Sequence, residues 1–171
     1  MGAAARMLPD GKRLHLNHGP IDLIVEAFGP DRSQALARAE ARFATLLDEL
    51  VAELPLLRRP LAETRPKGPV ARRMAAAVAP FSDLFITPMA AVAGAVADEV
   101  LAAMVAGSRL ERAYVNNGGD IALWLARGQV LVAALHAGFD AGRVRLAGDQ
   151  PARGLATSGA GGRSHSLGIA D

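Results

Sequence analysis

Tyr114-Val115-Asn116-Asn117-Gly118-Gly119-Asp120-Ile121-Ala122-Leu123 runs from apolar residues into a polar, glycine-paired corner and out into apolar residues again. Apolar runs on both sides of Asn-Gly-Gly-Asp predict two strands joined by a tight turn. Glycine takes positive φ without a Cβ clash, and it also lets a ligand approach the backbone. Asn116, Asn117 and Asp120 set amide and carboxylate groups beside that backbone. The stretch reads either as a plain hairpin corner or as a corner that also binds a ligand. Residues 86–98 and 156–171 bear on that choice.

Working outward, strands are predicted near 112–117, 120–127 and 129–136, with Arg127-Gly128-Gln129 as a hairpin corner and a further short strand at 143–147. His136 ends its strand and reads as structural. Toward the N-terminus, residues 12–18 and 20–28 form a strand pair with Gly19-Pro20 at the corner. Ile21, Leu23, Val25 and Ala27 share one face, because side chains alternate along a strand. His15 and His18 point to opposite faces, which argues against a metal pair and for surface histidines. Asp31 with Gln34 has the spacing of a capping box. Leu36, Ala39, Phe43, Leu46, Leu50 and Leu54 then recur every three or four residues, one apolar stripe on a long helix. Pro55 is expected to stop it.

Residues 55–69 are a connector rich in proline and arginine, and Arg72 and Arg73 carry its charge into a short alanine-rich helix at 70–80. The connector reads as a solvated linker or as an electropositive lip near a phosphate site, since guanidinium groups pair with phosphate oxygens. Residues 84–86 predict a short buried strand or an extended entry to the next helix. Thr87 and Pro88 then suit the N-cap and first position of a helix reaching about Gly107. That helix is apolar on nearly all sides as far as Asp98, which predicts a central, buried position. Ala90 and Gly94 lie on one face, where a backbone can come close, and the helix start offers N–H groups to an anion.

A chain of 171 residues suits one domain with a real core. Apolar residues are 51% but aromatics only 4%, so small-residue helices packed closely are expected. The absence of cysteine excludes disulfides and thiolate sites. A net charge of +2 does not describe a nucleic-acid binder. Residues 1–6 lack the apolar core of a signal peptide, and the run at 84–97 is short of a membrane span. The expectation is a cytoplasmic protein with no membrane and no nucleic-acid partner. The predicted fold class is α+β, an antiparallel sheet packed with long helices.

Residues 156–166 crowd glycines, hydroxyls, Arg163 and His165 into eleven positions. Such a loop is either a plain flexible connection or a cradle for phosphate. It is not a Walker loop, which ends in Gly-Lys-Ser/Thr. A Ser158–His165 nucleophile pair lacks a third, orienting residue.

Three stretches together resemble the ApbE family, the FAD:protein FMN transferases. Residues 93–98, Ala-Gly-Ala-Val-Ala-Asp, resemble its Lys-Gly-Tyr-x-x-Asp motif. Residues 115–121 resemble its Asn-x-Gly-Gly-Asp motif. Thr157-Ser158-Gly159, with His165 shortly after, resembles its Ser-Gly and His-Ile-x-Asp-Pro region. The wording is nearer still to a compact, cytoplasmic, ApbE-like branch, and the likeness covers residues 10–171.

The resemblance implies a tunnelling-type α+β fold with a flavin dinucleotide in a cleft among the glycine motifs. It implies a ligand-binding set of Asn116, Asn117, Gly118, Gly119, Asp120, Thr157, Ser158, Gly159, His165 and Asp98, and the Ala90 carbonyl as a metal ligand. FAD and magnesium are the implied cofactors. A flavin nucleotide or other small anionic molecule, a protein partner and further copies of the chain are the implied partners. Departures are equally plain. Ala93 stands where the family has lysine, Gly168-Ile169 replaces Asp-Pro, and the family's Asp and Thr magnesium ligands lie in a segment beyond Asp171. The resemblance therefore implies a single domain, 1–171, that is either truncated at its C-terminus or has lost its metal site, in both cases not competent in FMN transfer, with an accessory role in anaerobic sulfur assimilation. Magnesium-dependent FMN transfer, FAD pyrophosphate hydrolysis and a ligand-free oligomeric module are the alternatives.

Overall fold

The computed structural model describes residues 2–156 except 64, 84, 138 and 139, with the backbone alone for 135–137, 140 and 141. The chain opens with β1 (Ala4–Met7), β2 (Leu14–His18) and β3 (Ile21–Phe28), then α1 (Arg32–Leu57), α2 (Pro69–Val78) and α3 (Val92–Val105). It returns with β4 (Arg112–Asn117), β5 (Asp120–Leu125), β6 (Val130–Ala137), β7 (Asp140–Ala147) and β8 (Gly154–Leu155). The main sheet has the order β1-β2-β3-β4-β5-β8, and each neighbouring pair is antiparallel. β6 and β7 form a separate two-stranded ribbon. The fold is α+β.

The period-2 pattern of β3 puts Ile21, Leu23, Val25 and Ala27 inside. Register continues the row: Leu16 faces Leu23, Val25 faces Val115, and Val115 faces Ala122. This face buries Phe43, Leu46 and Leu50 of α1, Val70 and Met74 of α2, and Val96, Val100 and Met104 of α3. Each such side chain contributes about 1.5–3 kcal/mol relative to exposure, and that burial holds the helices where propensity alone would not. The helices lie on one side, as expected. At β4 and β5 the opposite face is covered as well: Leu123 and Leu125 pack with Leu146 of β7, Leu131 of β6 and Tyr114.

Several expectations are corrected. Residues 4–7 form a strand that periodicity did not reveal, because all four are exposed. Asp31 is the N-cap of α1 but makes no side-chain cap bond. Its carboxylate instead accepts from the Arg109 backbone N–H at 2.8 Å and from the guanidinium at 2.9 and 3.1 Å. Two bonds from a guanidinium outweigh one neutral cap, so the capping box does not form. Pro55 lies inside α1, which runs on to Leu57. The carbonyl deprived of a partner belongs to Val51, which is 55% exposed and open to water, while fully buried Leu57 favours the last turn.

His15 and His18 do point to opposite faces. However, His18 is buried, with its ring edge toward Phe43, while His15 bonds Asp22 at 3.0 Å. Residues 85 and 86 form no strand, and Phe85 is 85% exposed. The turn at 127–129 is a corner but not a hairpin, since β5 pairs with β8 and β6 with β7. The apolar helix divides into a 3-10 turn, Pro88–Ala91, and α3 proper. By length and composition the 18 residues Pro88–Val105 could cross a membrane, a test that core helices of soluble proteins also pass. Here Val96, Val100 and Met104 are fully buried against the sheet.

Candidate functional site

Asn117 and Asp120 are paired across the β4–β5 corner, so Gly118 and Gly119 form a two-residue loop. Their φ angles are +64° and +116°, the region that such hairpins demand and that side chains resist. The Asn116 side-chain oxygen accepts from the Gly119 N–H at 2.9 Å. The Asn117 amide donates to the Ala93 carbonyl at 3.1 Å. Both asparagines are thus engaged in holding the corner, one within the turn and one to the first turn of α3.

Docking the corner on α3 creates a cleft of about 510 Å³. Its floor is the small-residue surface of Ala91, Gly94 and Ala95, and Ala122 and Leu155 of the sheet edge extend it. Asp98, Asp120 and Arg73 supply the charged groups of the lining. Gly94 does not serve close packing, contrary to expectation: a Cβ built there meets nothing within 4 Å. The open end also explains why α3 is only half-buried from Val92 to Gly94. Trp124 sits two residues beyond Ala122 on the helix-facing side, and its indole nitrogen is buried with no partner among the described residues.

The electrostatics are mixed. Partial burial raises the Asp98 carboxyl above its ordinary range, with Arg73 pulling the other way. Arg73 Nε donates to Glu99 Oε2 at 2.9 Å, and Arg42 Nε donates to Glu99 Oε1 at 3.0 Å. Burial pushes the Glu99 carboxyl up, but these two bonds outweigh it and leave it below its ordinary value.

Of the residues singled out from sequence, Asp98, Asp120 and Ala90 line the cleft. Gly118 and Gly119 build its corner, and Asn116 and Asn117 fix that corner in place. Thr157, Ser158, Gly159 and His165 lie outside the described residues, as does the rest of the glycine loop from 157 onward. Ala90 donates its N–H to the Thr87 carbonyl at 3.1 Å. No group of three or more His, Cys, Asp or Glu able to hold a metal occurs among the described residues. Arg73, the last arginine of the basic run, reaches the cleft. Its partner Glu99 was legible only as the neighbour of Asp98, and Arg42 only as a polar residue on α1.

A family model described as AbpE bacteria matches residues 5–171. That is not the FMN-transferase family, and the match overturns the resemblance to ApbE proteins. The geometry shows why the short motifs misled. Asn-Asn-Gly-Gly forms a two-residue hairpin held by two asparagine bonds, a structural use that needs no ligand. The FMN-transfer chemistry and the sulfur-assimilation role rested on that resemblance and go no further. No curated protein matches the chain.

Proposed function

The chain belongs to the AbpE bacteria family, and on that footing we propose that it binds a small organic molecule in the cleft between α3 and the β4–β5 corner. One juxtaposition carries this reading: Gly94 leaves open space over the floor, and Asp98 and Asp120 stand in the same lining. Ligand sites combine apolar surface with a few orienting polar groups, in volumes of roughly 300–1,000 Å³. Ionised carboxylates only accept hydrogen bonds, so the ligand offers hydroxyl or N–H donors to them and an apolar face to the alanines and glycine. A flavin nucleotide has all three features, with a flat ring system, ring N–H and ribityl hydroxyls.

The test is a titration of the purified chain with FMN, with and without magnesium, following flavin polarisation and Trp124 emission. Saturable binding that magnesium does not change, and that Gly94→Val abolishes, is the expected result. Binding that survives Gly94→Val would place the ligand elsewhere. A folded chain that binds no FMN would remove flavin nucleotides as the ligand class.

A further inference from the structure

We infer that Arg73 is the anion anchor of this cleft, and that the ligand it holds carries a phosphate group. The inference rests on the cleft being a ligand site. Arg73 lines the cleft from α2, and its side chain is 43% exposed. Its Nε is committed to Glu99. A guanidinium bound through one edge keeps its terminal nitrogens as a planar fork, the geometry that grips phosphate oxygens in pairs.

The fork is also braced. Glu99 has a side chain only 14% exposed and takes one arginine on each oxygen, Arg73 at 2.9 Å and Arg42 at 3.0 Å. Arg42 in turn holds both oxygens of Glu49, each at 2.8 Å. A relay of alternating charge thus runs from α1 through α3 to α2 and ends at the cleft. Arg42 and Arg73 balance Glu49 and Glu99 charge for charge, and Arg73 is the member of the relay that stands at the cleft, its side chain 43% exposed. Glu99 and Arg42 are positioning residues, and Arg73 is the group that touches the ligand. With Asp98 and Asp120 accepting from hydroxyls and Arg73 donating to an oxyanion, the ligand is a phosphorylated, hydroxyl-bearing molecule of nucleotide size.

FMN and riboflavin differ by the phosphate alone and isolate this contribution. The wild-type chain, Arg73→Gln, Glu99→Gln and Gly94→Val are each titrated with both, after thermal unfolding has shown that they fold. Wild type is expected to prefer FMN by about tenfold or more, the effect of a charged hydrogen bond. Arg73→Gln erases that preference and leaves riboflavin binding in place. Glu99→Gln reduces the preference without removing it, a change that a purely structural ion pair would not produce. Equal binding of FMN and riboflavin by wild type, both lost in Gly94→Val, would overturn the anchor and leave the cleft standing. Failure of either flavin to bind the folded chain would overturn both.

Discussion

The Asn117 side-chain amide donates to the Ala93 carbonyl across 3.1 Å, and this bond fixes the β4–β5 corner to the start of α3. Apolar packing of α3 on β4 and β5 joins the two walls further along the sheet. Asn117→Ala is expected to cost about 1 kcal/mol, the usual net worth of one hydrogen bond. Asn117→Asp loses the donor and sets a carboxylate against a carbonyl, and costs more. Urea unfolding measures both. Weakened FMN binding in parallel would show that the corner must be held for the cleft to work.

The glycines divide into two kinds with opposite predictions. Gly118 and Gly119 have positive φ, so alanine at either is expected to destabilise by about 1–2 kcal/mol. Gly94 has ordinary helical φ and open space where a Cβ would stand. Gly94→Ala is expected to stabilise the fold by up to about 1 kcal/mol while weakening ligand binding. A Gly94→Ala protein that is less stable than wild type would show that this position serves packing after all.

Asp31 and Arg109 set an acid limit. The hydrogen bonds from Arg109 depress the Asp31 carboxyl to about 2. A folded-state value below the unfolded one means that the stabilisation is fully present above the unfolded value and is lost as pH falls through the folded value. The stability gap between wild type and Asp31→Asn is therefore expected to be constant near neutrality and to close between about pH 4 and pH 2. Thermal melts across that range would reveal it. A gap that does not shrink between about pH 4 and pH 2 would contradict the ion pair.

Asp98 has the opposite sign. Partial burial raises its carboxyl, so ionising it opposes folding as pH rises past its unfolded value. Asp98→Asn is expected to be as stable as wild type or more so at pH 7, with the difference fading in acid. The same variant should bind ligand less well. Weaker binding at unchanged or higher stability would mark Asp98 as a group that serves the ligand rather than the fold.

Pro55 tests the end of α1. Pro55→Ala returns a donor to the Val51 carbonyl, and an expected gain of about 1–2 kcal/mol reflects helix propensity offset by a more flexible unfolded chain. Denaturant midpoints at unchanged slope would measure it.

Much of this fold could be read from local pattern. The alternation Ile21, Leu23, Val25, Ala27 and the stripe from Leu36 to Leu50 record burial directly, and Gly118-Gly119 records a backbone conformation. What escaped was set by distant partners. Arg109 claims Asp31 from 78 positions away, and no local rule weighs that against a cap. Ala4-Ala5-Arg6-Met7 buries nothing and is a strand only because β2 offers it hydrogen bonds. At the site, Asp98 and Asp120 were visible as unusual residues, but Arg73 became a member only when α2 packed on α3. The ApbE resemblance failed for a related reason: short glycine phrases record turns as readily as ligands.

β3 and β4 are adjacent in the sheet, yet the chain between them contains all three helices. Closing a loop of roughly 80 residues must precede the central pairing, and such non-local contacts slow folding. β1 to β3 meet through short turns and can assemble as they leave the ribosome. β4, β5 and β8 depend on that closure to reach β3, and the candidate cleft is lined from α2, α3, β5 and β8. The cleft thus lies on the side of the sheet that hangs on one long-range pairing, and mild denaturant is expected to open it before the first three strands separate.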